Sequence, residues 1–358
     1  MQDIPVTEGI KYAGSKLKLL PHIIQMIEGL PGVNSVLDGF SGSTRVSQAL
    51  AKMGYSVTSN DVSAWSEVFA TCYLKSSETD SFFQERLDYL NNLSGYDGWF
   101  TEYYGGDENE SKKPFQRKNT RRLDAIRDEI DKMELSWNDK CVLLTSLILS
   151  LDKVDNTLGH YAAYLSKWSK RSYQDLKLLL PKRFQLEKEH IVSRSDVFDV
   201  INGKEFDLAY FDPPYGSNNE KMPPSRVRYA SYYHLWTTIV KNDKPELFGK
   251  VNRRQDTRDD VAVSVFENYK KGENGYYLAI DALRKLINET NARYLLLSYS
   301  SGGRATKSQL TDIISECATL KDMRMVDYRK NVMSVMRTTN KWVGNDDKCI
   351  EYLFLMEK

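Results

Sequence analysis

Residues 35–61 read SVLDGFSGSTRVSQALAKMGYSVTSND. Ser35–Asp38 is a short apolar run that stops at an aspartate, and the glycine-bearing stretch Gly39–Thr44 follows it. Arg45–Met53 carries helical periodicity and is followed by Gly54, a residue suited to a helix end. Tyr55–Thr58 then reads as a second strand, closing at Asn60-Asp61. Strand, glycine loop, helix and strand make a βαβ unit of the doubly wound α/β type. Glycines in such a loop let the backbone approach a ligand at the helix N-terminus. The loop lacks the third glycine of the dinucleotide fingerprint and the Gly-Lys-Ser/Thr of a phosphate-binding loop. Asp61 lies roughly 20 residues beyond the glycines, where a carboxylate holds ribose hydroxyls in nucleotide sites. A nucleoside-bearing cofactor without a phosphate cradle fits this pair, and S-adenosylmethionine is one.

Outward from this unit, the apolar spacing in Ser15–Glu28 predicts a short amphipathic helix. From about Ala64 to His190 helical patterns dominate, at Trp65–Leu74, Arg121–Met133, Lys140–Leu151 and Tyr173–Leu180, broken by the polar stretch Ser94–Asn119. This reads as an inserted, mostly helical region. Strands resume at Ile191–Ser193 and Phe206–Phe211, and Glu220–Asp260 reads as an extended loop with a little helix. Tyr276–Asn291 and Thr311–Ala318 read as helices, and Arg293–Ser298 and Glu351–Met356 as strands.

The 358 residues are 41% hydrophobic and 28% charged, the proportions of a soluble globular protein. No apolar run approaches the roughly 18 to 20 residues of a membrane span; Cys141–Leu151 is short enough to be a buried helix. The N-terminus has no secretory apolar core, and Cys72, Cys141, Cys317 and Cys349 show no CxxC spacing. Reduced thiols in a cytoplasmic protein are expected. His22, His160, His190 and His234 lack metal-ligand spacing and are expected to be structural or on the surface; no metal is expected. Net charge is only +1, but Ser111–Arg122 holds six cations and no acid, and further basic clusters lie at Lys167–Arg171, Arg226–Arg228 and Lys250–Arg254. Interleaved with aromatics and asparagines, they suggest a surface that tracks phosphates.

Tyr210–Gly216 reads YFDPPYG, closing an apolar strand. Prolines fix φ and remove N–H donors. Asp212 adds a carboxylate acceptor, and Tyr215 a stacking face. Acceptors and a π surface with few donors suit an exocyclic amino group on a flat base. Methyl transfer to such a nitrogen builds positive charge, which fixed acceptors stabilise in the transition state.

Taken together, these stretches resemble the DNA adenine-N6 methyltransferases of the Dam-like class, in which cofactor motifs precede an Asp-Pro-Pro-Tyr motif. Lys11–Lys16 (KYAGSK) resembles their N-terminal cofactor motif, and Asp38–Gly42 their Phe-x-Gly motif. Asn60-Asp61 resembles the ribose position, Ser195–Phe198 the acidic site before the catalytic motif, and Asp212–Tyr215 that motif itself. Leu296–Ser300 and Glu351–Leu355 resemble the later strands. The family motif usually reads Phe-x-Gly-x-Gly, and here Thr44 stands at its last position. The likeness runs from about residue 10 to 358.

The resemblance implies a Rossmann-like S-adenosylmethionine-dependent methyltransferase sheet over 1–74 and 191–358, with an inserted helical target-recognition domain over 75–190. It implies that Tyr12 and Lys16 line the methionine end of the cofactor, with Asp38 near its amino group and Phe40 and Gly42 beneath it. Asp61 would bind ribose, Asp196 the cofactor adenine amino group, and Phe198 would lie by that ring. Asp212 and the Pro213 carbonyl would hold the target nitrogen, with Pro214 keeping the loop rigid and Tyr215 stacking on an adenine flipped from duplex DNA. Candidate DNA contacts are Lys112, Lys113, Arg117, Lys118, Arg121 and Arg122, then Asn218, Arg226 and Arg228, which would cover the DNA beside the flipped base together with Asn219 and Tyr229. Asp152-Lys153 and Asp155-Asn156 follow a predicted helix and are read as structural rather than as DNA contacts. The expected partners are double-stranded DNA and, in a restriction-modification setting, a cognate endonuclease or second methylase in a bacterial, phage or archaeal cytoplasm. The competing readings are methylation of RNA bases or a protein amide, and a non-catalytic DNA-binding subunit.

Overall fold

The computed structural model describes residues 4–110, 112–218, 228–273, 275–328 and 349–358. Seven strands form the main sheet: β1 Ser35–Asp38, β2 Ser56–Asn60, β3 Ile191–Ser193, β4 Glu205–Phe211, β5 Asn291–Ser300, β6 Thr319–Tyr328 and β7 Cys349–Glu357. Their order is β6-β7-β5-β4-β1-β2-β3. β1 pairs with β4, β4 with β5 and β2 with β3 in parallel, whereas β7 runs antiparallel to both β5 and β6. The helices are α1 Leu20–Ile27, α2 Arg45–Lys52, α3 Ala64–Leu74, α4 Asp80–Asn91, α5 Trp99–Tyr104 and α6 Arg117–Lys132. They continue with α7 Trp137–Val154, α8 Val197–Ile201, α9 Tyr229–Tyr232, α10 His234–Lys241, α11 Leu278–Glu289 and α12 Lys307–Cys317. No described helix is long and apolar enough to cross a membrane.

The chain divides into two compact units, one of residues 1–18, 41–195 and 228–262, the other of 19–40, 196–227 and 263–358. In the second unit the parallel strands read as apolar runs because both faces are covered. Leu37, Ala209, Phe211, Leu295 and Leu297 are fully buried. They belong to a core that takes in Leu283, Leu286 and Ile287 of α11 and Leu310, Ile313 and Ile314 of α12. α12 opens on a full capping box, Thr306 with Gln309.

In the first unit α7 is the buried helix expected from Cys141–Leu151, with Leu143, Leu147 and Leu151 inaccessible. Arg127 on α6 donates to the Ile239 and Val240 carbonyls at 2.6 and 2.9 Å, satisfying the carbonyl end of α10. Asn119 and Asn91 explain why Tyr173–Leu180 is not the predicted helix. Asn119 accepts from Leu176 N–H at 2.8 Å and donates to the Gln174 carbonyl at 2.9 Å. Asn91 does the same for Leu178, at 2.8 and 3.0 Å. These side chains stand in for a strand partner, so the segment is extended and buries Leu176 and Leu178 in alternation. Pro181 further disfavours a helix at Leu180.

Ser94–Asn119 is more ordered than its polarity suggests, containing α5, the start of α6 and two paired two-residue strands, 105–106 and 115–116. Asp124 organises it, accepting from Gly98, Phe100 and Thr101 N–H groups at 2.8 to 3.1 Å as a cap for α5. The described part of Glu220–Asp260 is likewise more helical than read, carrying α9 and α10. The structure adds α4 and β6 to the elements expected from sequence.

Candidate active site

β4 delivers its last buried residues, Tyr210 and Phe211, into a loop without regular structure that holds Asp212, Pro213, Pro214 and Tyr215. The Tyr215 hydroxyl donates to Asp212 Oδ1. It also lies 3.4 Å from Ser298 Oγ on β5 and 3.3 Å from Glu351 Oε2 on β7. Burial first, then the carboxylates of Asp212 and Glu351, hold the Tyr215 phenol well above its ordinary value, so it stays a neutral donor. Tyr210 is raised in the same way, by burial and then by Asp212 and Asp38.

The loop between β5 and α12 braces this tetrapeptide. Arg304 N–H donates to the Tyr215 carbonyl at 2.8 Å, and the Tyr299 hydroxyl donates to the same carbonyl at 3.3 Å. Asn218 N–H donates to the Gly302 carbonyl at 3.0 Å. A Cβ on Gly303 would sit 2.5 Å from the Tyr299 ring and 3.0 Å from Tyr215, so only glycine permits this approach. The Arg304 guanidinium lies over the rings of Tyr269 and Tyr277, which fixes the brace.

Asp38 ends β1 and is 1% exposed. Gly39 donates to the Tyr210 carbonyl at 3.0 Å, and a Cβ there would meet the Phe211 ring at 2.7 Å. Phe40 packs edge-on against Phe211 and Phe266, and Phe198 stacks on Phe266 with ring centres 5.8 Å apart. Asp196 caps α8, accepting from Phe198 N–H at 2.9 Å, and is exposed. Within the second unit, Phe40 and Phe198 thus meet on Phe266, and Asp212 and Tyr215 converge with Ser298 and Glu351. Phe266, Ser298 and Glu351 were not singled out as site residues. An acidic residue opening the otherwise apolar run Glu351–Met356 was the signal for the last of them.

In the first unit, Gly42 has φ +47° and donates to Asp61 Oδ2 at 2.9 Å, while Asp61 Oδ1 accepts from Ser63 N–H at 2.8 Å. Burial raises the Asp61 carboxyl above its usual range despite these bonds. A Cβ on Gly42 would meet the Tyr12 ring at 3.1 Å. Thr44 sits at φ +61° and is inaccessible, a left-handed conformation that glycine adopts freely and a β-branched residue rarely does. Its hydroxyl accepts from Gln48 at 3.0 Å. This position is the one where the resembling family carries glycine.

Tyr12 belongs to an aromatic cluster with Trp65, Tyr229 and Tyr233, at ring distances of 4.8 to 5.6 Å. Ala13 N–H donates to the Tyr233 hydroxyl at 2.6 Å, and the buried Lys16 donates to the Gly14 carbonyl at 3.2 Å. Lys11 anchors the same stretch, pairing with the inaccessible Asp155 at 2.7 Å, while its N–H donates to Asp152 at 3.0 Å. Burial pushes the Asp152 carboxyl up to about 6, with Lys11 opposing. A nucleoside-bearing cofactor fits this donor set: a glycine at which a Cβ crowds Tyr12, and the carboxylate of Asp61 just past the carboxyl end of β2.

The predicted DNA contacts divide into distinct environments. Lys112 is exposed. Lys113 donates to the Tyr103 carbonyl at 2.9 Å. Arg117 and Arg121 pair with Asp97 at 3.2 and 3.6 Å, and Lys118 with Asp175 at 2.6 Å. Arg122 donates to the carbonyls of Leu176, Leu93 and Asn91, so it ties the extended segment to α4. Arg228 lies 3.8 Å from Asp259, and Asn218 is exposed. Arg226 and Asn219 lie outside the described residues. Among the described residues no cluster of His, Cys, Asp or Glu is placed to hold a metal ion.

Residues 12–301 match the family of D12 class N6 adenine-specific DNA methyltransferases. The chain belongs to this family. The chain is 29% identical to modification methylase StsI of Streptococcus sanguinis, over 98% of the chain and 52% of that protein. It is 26% identical to the type II methyltransferase M.FokI of Planomicrobium okeanokoites, over 98% of the chain and 53% of that protein. It is 24% identical to M.NlaIII of Neisseria lactamica, over 98% of the chain and 99% of that protein. The chain thus spans about half the length of the first two relatives and nearly all of the third. The β6-β7-β5-β4-β1-β2-β3 sheet is the Rossmann-like methyltransferase fold.

Proposed function

We propose that this protein is a site-specific DNA methyltransferase that transfers a methyl group to the N6 amino group of adenine flipped out of duplex DNA. The observation that carries the reading is the Asp212–Tyr215 tetrapeptide at the carboxyl end of β4, with its tyrosine braced by Arg304 and Tyr299. Asp212 and the Pro213 carbonyl accept the two amino hydrogens, and Pro214 keeps the loop stiff. Tyr215, a neutral phenol, stacks on the base. S-adenosylmethionine supplies the electrophilic methyl group. As N6 gains positive charge, the fixed acceptors stabilise it without reorganising.

Tyr12, Lys16, Asp38, Phe40 and Gly42 serve the methionine end of the cofactor, Asp61 its ribose, and Asp196 and Phe198 its adenine. Residues 75–190 form the target-recognition domain, set between catalytic segments 1–74 and 191–358. Lys112, Lys113, Arg117, Lys118 and Arg121 contact phosphates. The surface ion pairs of Arg117, Lys118 and Arg121 contribute about 0 to 1 kcal/mol and yield readily to a phosphate. Asn218, Arg226 and Arg228 act beside the flipped base, whereas Arg122 is structural. A cognate restriction endonuclease sharing the target sequence, in the cytoplasm, completes the proposal.

The test is transfer of labelled methyl from S-adenosylmethionine to unmethylated duplex DNA of mixed sequence, followed by nucleoside analysis. Label in N6-methyladenine that disappears in Asp212→Ala supports the reading. Label confined to cytosine, RNA or protein overturns it.

A further inference from the structure

Glu351 lies in β7 across from Ser300, 7% exposed, among the apolar residues Tyr352, Leu353 and Phe354. Burying a carboxylate between two strands is costly unless it is hydrogen-bonded. One of its oxygens, Oε2, is an acceptor 3.3 Å from the Tyr215 hydroxyl. The same hydroxyl donates to Asp212 Oδ1 and has Ser298 Oγ at 3.4 Å. A phenol carries one donor proton, and here two carboxylates face it. In this arrangement the proton sits on the Asp212 side, where it occupies an acceptor that a substrate amino group requires.

We propose that Glu351 is a positioning residue that takes over the Tyr215 hydroxyl when Asp212 turns to the substrate amino group. This rests on the reading of Asp212–Tyr215 as the catalytic tetrapeptide. The exchange breaks one hydrogen bond, Tyr215 to Asp212, and makes another, Tyr215 to Glu351. Tyr215 keeps its proton throughout, because its burial beside two carboxylates opposes ionisation. Glu351 thereby frees the Asp212 oxygen and holds the ring plane on which the base stacks. Without an acceptor at 351, the hydroxyl stays on Asp212 and competes with the substrate for it.

The test is a double-mutant cycle on the full chain, with labelled S-adenosylmethionine and unmethylated plasmid DNA of mixed sequence. Glu351→Leu is expected to lower kcat about 10- to 100-fold, the worth of one hydrogen bond to a charged acceptor. KM for S-adenosylmethionine stays within about threefold. In a Tyr215→Phe background, where no hydroxyl competes for Asp212, the same substitution costs less than about threefold. Glu351→Gln, which keeps an acceptor oxygen and the shape of the side chain, retains activity within about fivefold. An equal loss from Glu351→Leu in both backgrounds overturns the proposal, as does a loss beyond tenfold in Glu351→Gln. The glutamine variant keeps the test decisive if leucine compromises folding. No methyl transfer to DNA by the unmutated protein refutes the functional reading instead.

Discussion

His234 begins α10 and is fully inaccessible, with Nε2 3.2 Å from the Tyr161 carbonyl. A carbonyl only accepts, so Nε2 carries a proton and donates; it is burial that keeps the ring neutral. Burial is the main reason its value falls to about 3, and Arg253 and Arg254 push it the same way. The unfolded chain takes up a proton near the ordinary histidine value of about 6.5, and the folded chain does not. Stability from this group is therefore complete above about pH 6.5 and declines as pH falls, levelling only below about pH 3. Between pH 7 and pH 5 the decline comes to about 2 kcal/mol, and it stays near that figure for any folded value below about 4.

The perturbation is His234→Gln, which keeps an N–H donor for Tyr161 and does not titrate. Urea unfolding of both proteins at pH 7 and pH 5 gives two stability differences. At pH 7 the variant is less stable by about 1 to 3 kcal/mol, through lost packing. At pH 5 that gap narrows by about 2 kcal/mol or reverses. Asp152 works in the opposite sense, since its raised value makes the folded state the stronger proton binder below about pH 6, but it is common to both proteins and cancels. A gap that holds within about 0.5 kcal/mol across the two pH values refutes the reasoning. The result bears on function, because α10 follows directly on Tyr233, whose hydroxyl holds the Ala13 backbone beside Tyr12.

Three further outcomes are expected. Asp212→Ala lowers kcat by at least about 100-fold while leaving the affinity for S-adenosylmethionine within about threefold, read by methyl transfer and calorimetry. Thr44→Val keeps the left-handed strain and loses the bond from Gln48, so it costs about 1 to 2 kcal/mol; Thr44→Gly relieves the strain and stays within about 1 kcal/mol of the parent, both read by denaturant unfolding. Asn119→Ala strands the Leu176 N–H and the Gln174 carbonyl, costing about 2 to 4 kcal/mol in the same assay, and limited proteolysis then cuts within 173–180.

The βαβ unit at 35–61 was legible because short-range rules governed it: an apolar strand, a glycine loop and a helix stopped by glycine. Segments settled by distant partners were not. The leucines of 176–180 suggest a helix, but side chains from Asn91 and Asn119, far off in sequence, hold the segment extended. The basic run 112–122 looks uncompensated because its acids, Asp97 and Asp175, lie outside it. β6 was missed because an edge strand with exposed Lys321 and Asp322 lacks an apolar signature. α4 was missed although Phe83, Leu87 and Leu90 mark a buried face at helical spacing. Around the candidate site, the tetrapeptide could be read directly, whereas Ser298 and Glu351 acquire meaning only when β5 and β7 are laid side by side.

That placement of β7 also sets an order of assembly. β6 is synthesised before β7, yet among the described residues its partner in the sheet is β7 alone, which lies between it and β5. Until β7 inserts, β6 has no ladder to join and the outer edge of β5 is an open template for a foreign strand. Formation of this side of the sheet waits on a long-range pairing, which slows folding and lengthens exposure to aggregation. The strand that brings Glu351 to Tyr215 is thus also the one on which this side of the sheet waits.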